Sequence, residues 1–155
     1  IMAGLSNIYL LNLAKKLNLK KFKGIFSCDT LPKPEKHWEE FSLISNLSKY
    51  DEKGSHFIAI YVLPDKIIYF DSYGIKCTNE FINEYLQTIG KNVFYNTRRI
   101  QDVDSIFCGY FCLAFILVTK SSEYSFDNFM NNFDKKNLLN NENIVTRIIR
   151  YFIQS

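Results

Sequence analysis

A histidine, an aspartate, a glutamine and a cysteine stand in that order at positions 56, 71, 101 and 108 of this 155-residue chain. Together they have the makings of an acyl-transfer site. Cys108 opens an apolar block, CGYFCLAFILV, directly after a polar loop. If that block is a helix, its free N-terminal N–H groups favour a thiolate over a thiol. The Cys108 N–H can then donate to a developing oxyanion, and the Gln101 amide offers a second, neutral donor to the same oxygen. Gly109 leaves room beside the sulfur for a substrate backbone. His56 can take up and return a proton, and Asp71 can accept its other ring N–H, which fixes the tautomer and steadies the imidazolium. Taken singly each signal is weak, because a cysteine at the start of an apolar helix is usually a core residue and a histidine at a strand edge is usually structural. The constellation carries the reading.

These residues can meet only if particular elements position them. HFIAIYVL and KIIYF are β-branched and aromatic runs separated by Pro64-Asp65, which predicts strands over 56–63 and 66–71. A two-residue turn pairs Leu63 with Lys66, so His56 faces position 73 and Asp71 lies two residues along on the same strand. Side chains alternate with period two, so His56 and Asp71 share a face. A three-residue turn would separate them. Elsewhere, leucine and isoleucine spacing predicts a first helix over 5–19, followed by a basic stretch ended by Gly24. The segment after Gly24, with its prolines and mixed charges, reads as an irregular connection running into a short helix near Trp38 to Leu47. Thr78 is placed to cap a helix that stops at Gly90, NVFYNTR reads as a third strand, and two amphipathic helices fit 125–134 and 141–153. The expected architecture is one α+β domain over 1–155. In it a small, mainly antiparallel sheet bearing His56 and Asp71 packs on a central helix bearing Cys108, with flanking helices around them.

Composition sets outer limits. With 47% hydrophobic and 23% charged residues the chain can build a core and lacks the signature of disorder. A net charge of +3 is too small to demand nucleic acid as a partner. No apolar run reaches the roughly 20 residues of a membrane span, and the first residues lack the pattern of a signal peptide. A soluble, membrane-free, monomeric protein is expected. Four cysteines in a chain of this length point to a reducing compartment and free thiols, so a thiol nucleophile is chemically permitted.

Other residues compete for roles. His37 precedes Trp38 in KHWEE and is the rival base, but no strand follows it. Cys112 lies one helical turn after Cys108 and reads as a buried core thiol, since no further ligands for a metal stand near it. Cys28 and Cys77 fall in predicted loops and read as unreactive, surface or half-buried thiols. Lys15, Lys16, Lys20, Lys21 and Lys23, with Arg98 and Arg99, could follow a phosphate backbone, although a solvated face is the simpler account. No metal and no organic cofactor is required by this chemistry.

Three segments, GSHFIAIYV, IIYFDSYG and QDVDSIFCGYFCLAF, resemble in content and order the adenovirus maturation protease (adenain) and related proteases of virophages and Polinton-like elements. KKFKGIFSCDTLP is similar to that family's N-terminal Gly-x-Phe segment. The resemblance runs from about residue 5 to 118. It implies a papain-like, adenain-like cysteine protease with Cys108 as nucleophile, His56 as base, Asp71 as orienting carboxylate and Gln101 in the oxyanion hole. It also implies cleavage of capsid and other virion precursor proteins at small-residue sites containing glycine, in the virion and the host-cell cytoplasm. Phe57 stands where a tryptophan often follows the histidine. In the adenoviral enzyme, DNA stimulates activity, as does a peptide disulfide-linked to a cysteine upstream of the glutamine. Residues 87–100 hold no cysteine here, which argues against a covalent peptide cofactor and leaves DNA as a weak partner. SUMO- and ubiquitin-like-modifier deconjugating proteases share the order of residues. They generally carry aspartate before the Cys-Gly pair and a shorter gap from the glutamine, where this chain has Phe107. A non-catalytic DNA-binding virion protein on the same fold is the third reading.

Overall fold

The computed structural model describes residues 7–120 and 126–154. In chain order the elements are α1 (Asn7–Lys16), β1 (Phe22–Phe26), β2 (Phe41–Asn46), β3 (Phe57–Val62), β4 (Lys66–Phe70), α2 (Glu80–Ile89), β5 (Asn92–Tyr95), α3 (Cys108–Lys120), α4 (Phe126–Met130) and α5 (Asn140–Gln154). The strands form one sheet in sequence order. Its two inner pairings, β2 with β3 and β3 with β4, are antiparallel, while both edge strands run parallel to their neighbours.

The β3–β4 hairpin is the element on which the site depends. Its register pairs Val62 with Ile67, Tyr61 with Ile68 and Ala59 with Phe70, and the Leu63 N–H donates to the Lys66 carbonyl at 2.8 Å. The turn is therefore the two-residue one of the two lengths left open by the sequence, and position 56 falls beside 71–73 at the open end.

Alternation along the central strands feeds two cores. Phe57, Ala59 and Tyr61 of β3 and Ile68 and Phe70 of β4 point to the face covered by α1, α3, α4 and α5. Ile58, Ile60 and Val62, with Ile67 and Tyr69, point to the opposite face under α2. Helix α3 is apolar nearly all round because it runs through the middle of the first core, with Phe111, Leu113, Ala114 and Phe115 fully buried.

Several sequence expectations need correction. The short helix expected near Trp38 to Leu47 is strand β2, buried at every position. Being covered on both faces, FSLISN shows no alternation, and a short apolar run of that kind cannot be told from buried helix by periodicity. Its polar members are satisfied locally: Ser45 donates to the Asn46 carbonyl at 3.0 Å, and Asn46 Oδ1 accepts the N–H groups of Ser48 and Ser55. The region after Lys20 is strand β1, and Gly24, at φ +129°, sits in the register shift between Phe22 and Ile25 instead of ending an element. Asn79, not Thr78, caps α2 by accepting the Ile82 N–H at 3.1 Å, while Gly90 ends it in the left-handed region as expected. The first residues of the helix expected over 5–19 (5 and 6) and of the helix expected over 125–134 (125) lie outside the described residues.

Gly109 also has a different reason from the one its sequence position suggested. A Cβ there would lie 2.6 and 2.8 Å from the two terminal carbons of Leu10, a fully buried residue of α1. The missing side chain lets α1 pack on α3, and the space is already filled. Gly109→Ala is expected to cost about 1–3 kcal/mol of stability through overpacking. Leu10→Ala alone is expected to cost about 2–5 kcal/mol as a cavity. The double variant should be clearly more stable than the two losses added, as read from urea midpoints. Strict additivity would refute the contact.

Candidate active site

His56 lies just before β3 and Asp71 just after β4, so the hairpin register carries both to one end of the sheet. His56 Nε2 is 2.8 Å from Asp71 Oδ1. With that nitrogen taken, the ring has only Nδ1 for a second partner, and the Cys108 thiol lies close enough to act on the imidazole. Cys108 is the first residue of α3: the helix's opening bond runs from the Phe111 N–H to the Phe107 carbonyl at 3.0 Å, which leaves the first N–H groups of α3 without intrahelical partners. The group is nearly dry, with Cys108 6% and Asp71 3% exposed.

Burial by itself would push the His56 pKa down, since it disfavours the imidazolium. The hydrogen bonds to Asp71 and Cys108, and the charges of both, outweigh it and raise the value to about 9. The ring is further held by Tyr73, stacked on it at a centroid distance of 4.6 Å and an interplanar angle of 22°. The Arg99 guanidinium covers the Tyr73 ring at 4.9 Å. Burial, and then the nearby Cys108 charge, raise the Tyr73 phenol above its ordinary range.

Asp71 is fixed from three sides. Its Oδ1 accepts the Tyr73 N–H at 2.8 Å as well as the imidazole, its own N–H donates to Asn96 Oδ1 at 3.0 Å, and Asn96 Nδ2 returns a bond to the Asp71 carbonyl. The turn that follows closes with the Gly74 N–H on the Asp71 carbonyl at 2.8 Å. Gly74 is required there: its φ is +71°, and a Cβ would lie 2.8 Å from the Arg98 carbonyl carbon.

Gln101 is fully buried. Its Nε2 donates to the Ser105 carbonyl at 2.9 Å and its Oε1 accepts the Ser72 hydroxyl, while the Ser72 carbonyl receives the N–H groups of Ile100 and Gln101. Asn141, buried at the start of α5, ties this loop down by donating to the Ile100 carbonyl at 2.8 Å. Of the residues in supporting positions, Ser72, Tyr73, Asn96, Ser105 and Asn141 were not assigned roles from the sequence, and Arg99 was read only as a candidate phosphate contact. Their partners lie up to 41 positions away, and no local pattern announces such pairs.

The other candidates stand apart from this group. His37 is exposed, with Nε2 3.4 Å from Glu35 Oε2. Cys112 is fully buried, its thiol lying 3.5 Å from the Phe57 carbonyl, and burial pushes it well above the usual thiol range. Cys28 and Cys77 are buried in the second core, not surface or half-buried thiols: the chain around them folds under α2. Arg98 is engaged with the Met130 and Phe133 carbonyls. Among the described residues no cluster of three or more His, Cys, Asp or Glu side chains could hold a metal, and no helix is long and apolar enough to cross a membrane.

As a sequence the chain matches no protein-family model and no curated protein. Solved structures do match it. The central domain of the uncharacterised Lpg1148 protein from Legionella pneumophila superposes with a TM-score of 0.56 at 14% identity, over 97% of each chain. The ASFV pS273R protease gives a TM-score of 0.62 at 15% identity, over 95% of this chain and 67% of its own. A deletion variant of AvrA, with IP6 and CoA, gives 0.50 at 18% identity, over 90% of this chain and 54% of its own. At these identities the likeness establishes the fold: a mixed α+β arrangement of the adenain-like type, with a five-stranded sheet.

Proposed function

We propose that the chain is a cysteine endopeptidase of the viral maturation type, with Cys108, His56, Asp71 and Gln101 as its working residues. What carries the reading is the grouping Asp71–His56–Cys108, in which one imidazole bonds a buried carboxylate and stands beside a thiol at a helix N-terminus. The pS273R protease has the same fold and is named for proteolysis, which supports the assignment of reaction class.

In this mechanism the Cys108 thiolate attacks the scissile carbonyl carbon. The oxygen, now carrying the negative charge, is held by the Cys108 N–H and by the Gln101 N–H that the Ser105 carbonyl does not use. His56, protonated at Nδ1, gives that proton to the leaving amine. It then takes a proton from water, whose hydroxide attacks the thioester and releases the acid. The substrates proposed are capsid and other virion precursors cut at small-residue, Gly-containing sites in the virion and host-cell cytoplasm. Duplex DNA is a weak, salt-sensitive partner on the exposed Lys15, Lys16 and Lys20.

Wild-type protein incubated separately with a Gly-Gly-containing peptide and with ubiquitin-like-modifier conjugates is expected to cut the peptide and leave the conjugates intact. Processing of conjugates alone would transfer the chain to the deconjugating enzymes. Salt-sensitive DNA binding with neither cleavage nor fast thiol alkylation would make it a non-catalytic virion protein.

A further inference from the structure

We infer that Ser72 is a positioning residue of the oxyanion hole: its buried hydroxyl sets and polarises the Gln101 amide so that a donor faces the reacting carbonyl. The inference rests on the protease reading for its catalytic consequence, and on geometry alone for the orientation.

The orientation follows from what each partner is able to do. The Ser105 carbonyl is an acceptor with no hydrogen to give, so the end of the Gln101 amide that meets it at 2.9 Å must be the NH₂ group. Oε1 is then at the other end, where it needs a donor in a site from which water is excluded, Gln101 and Ser72 both being 0% exposed. The Ser72 O–H is that donor. One hydrogen of the planar NH₂ goes to Ser105, and the second is assigned to the oxyanion, which it meets once substrate binding opens the buried pocket around Gln101. Withdrawing electron density at Oε1 also makes the N–H groups better donors, because hydrogen bonds in a chain polarise one another. Backbone bonds keep the arrangement in register, since the Ser72 carbonyl receives both the Ile100 and Gln101 N–H groups at 2.9 and 3.1 Å.

One four-residue turn therefore serves both halves of the chemistry. Asp71 orients the base and Ser72, the next residue, orients the oxyanion donor, with Gly74 letting the turn lie against the backbone of Arg98 and Arg99.

The test compares wild type, Ser72→Ala, Gln101→Ala and the double variant in two reactions of the same sulfur. Iodoacetamide alkylation builds no oxyanion, whereas peptide hydrolysis does. Ser72→Ala is expected to lower kcat about 10–100-fold with KM little changed, a fraction of the 10²–10³ that loss of an oxyanion donor costs. In the Gln101→Ala background the same change should matter less than about twofold, and alkylation should stay within about twofold in all four proteins. Equal losses in both backgrounds, or an alkylation rate that falls with kcat, would overturn the inference. If wild type hydrolyses no peptide, the protease reading fails by itself, and Ser72 is judged by NMR of protein labelled with ¹⁵N in glutamine side chains. Ser72→Ala must then shift the two Gln101 amide proton resonances; unshifted resonances sink the proposal.

Discussion

Cys108→Ala is expected to abolish peptide turnover, a loss of at least about 10⁴-fold, while Cys112→Ala keeps turnover per folded molecule within about threefold. The two sulfurs sit one helical turn apart, and their surroundings separate them. Cys108 is at the helix start, beside the base His56 and at the end of α3 where the first N–H groups have no intrahelical partners. Cys112 is a turn deeper with 0% exposure, and there burial makes ionisation unfavourable. Losing its sulfur removes a contact with the Phe57 carbonyl and leaves a small void, worth about 1 kcal/mol of stability. Peptide mapping after brief iodoacetamide treatment below pH 7 should find the label on Cys108 alone, since it has His56 beside it, whereas burial pushes the Cys77 thiol up and Cys28 is 2% exposed within the second core. Residual turnover in Cys108→Ala, or label on Cys112, would remove the nucleophile from the mechanism.

What the sequence revealed of this site, and what it hid, divides by the range of the interactions. The hairpin was legible because Pro64-Asp65 marks its turn, but whether the turn had two residues or three was open, and it is the observed two-residue turn that fixes every pair to the open end. The position of Cys108 was legible because a polar loop gives way to apolar helix at that residue. β2 was hidden by its double burial, and β1 by a glycine that marks a bulge as readily as a break. The clamps on Asp71 and Gln101 were hidden because Asn96 and Ser72 act across 25 and 29 positions, where only the folded chain brings partners together. Gly109 shows that a correct observation can carry the wrong reason: the absent side chain matters, but to Leu10.

Asp71→Ala should lower kcat by about 10²–10⁴-fold, and Asp71→Asn should separate the two ways in which Asp71 acts on His56. Asparagine keeps an oxygen that can accept the imidazole N–H and the Tyr73 N–H, but it has no charge. Burial drives the His56 pKa down, and the hydrogen bonds and charges of Asp71 and Cys108 lift it to about 9, so removing one charge must lower it. Turnover needs the imidazolium to protonate the leaving amine, so wild-type kcat should fall as pH rises through about 9. The alkaline limb of Asp71→Asn should lie at lower pH, with a smaller loss at its optimum than Asp71→Ala shows. Stability carries the same sign. A histidine whose pKa is higher in the folded than in the unfolded chain stabilises the fold fully below about 6.5, and that contribution disappears as pH rises through about 9. The shift corresponds to about 3 kcal/mol, so wild-type melting temperature should decline over that interval while Asp71→Ala, with the raising interactions largely gone, declines much less. An alkaline limb that stays in place in Asp71→Asn would mean that the Asp71 charge does not govern the imidazole, and the relay would have to be rebuilt around Cys108 alone.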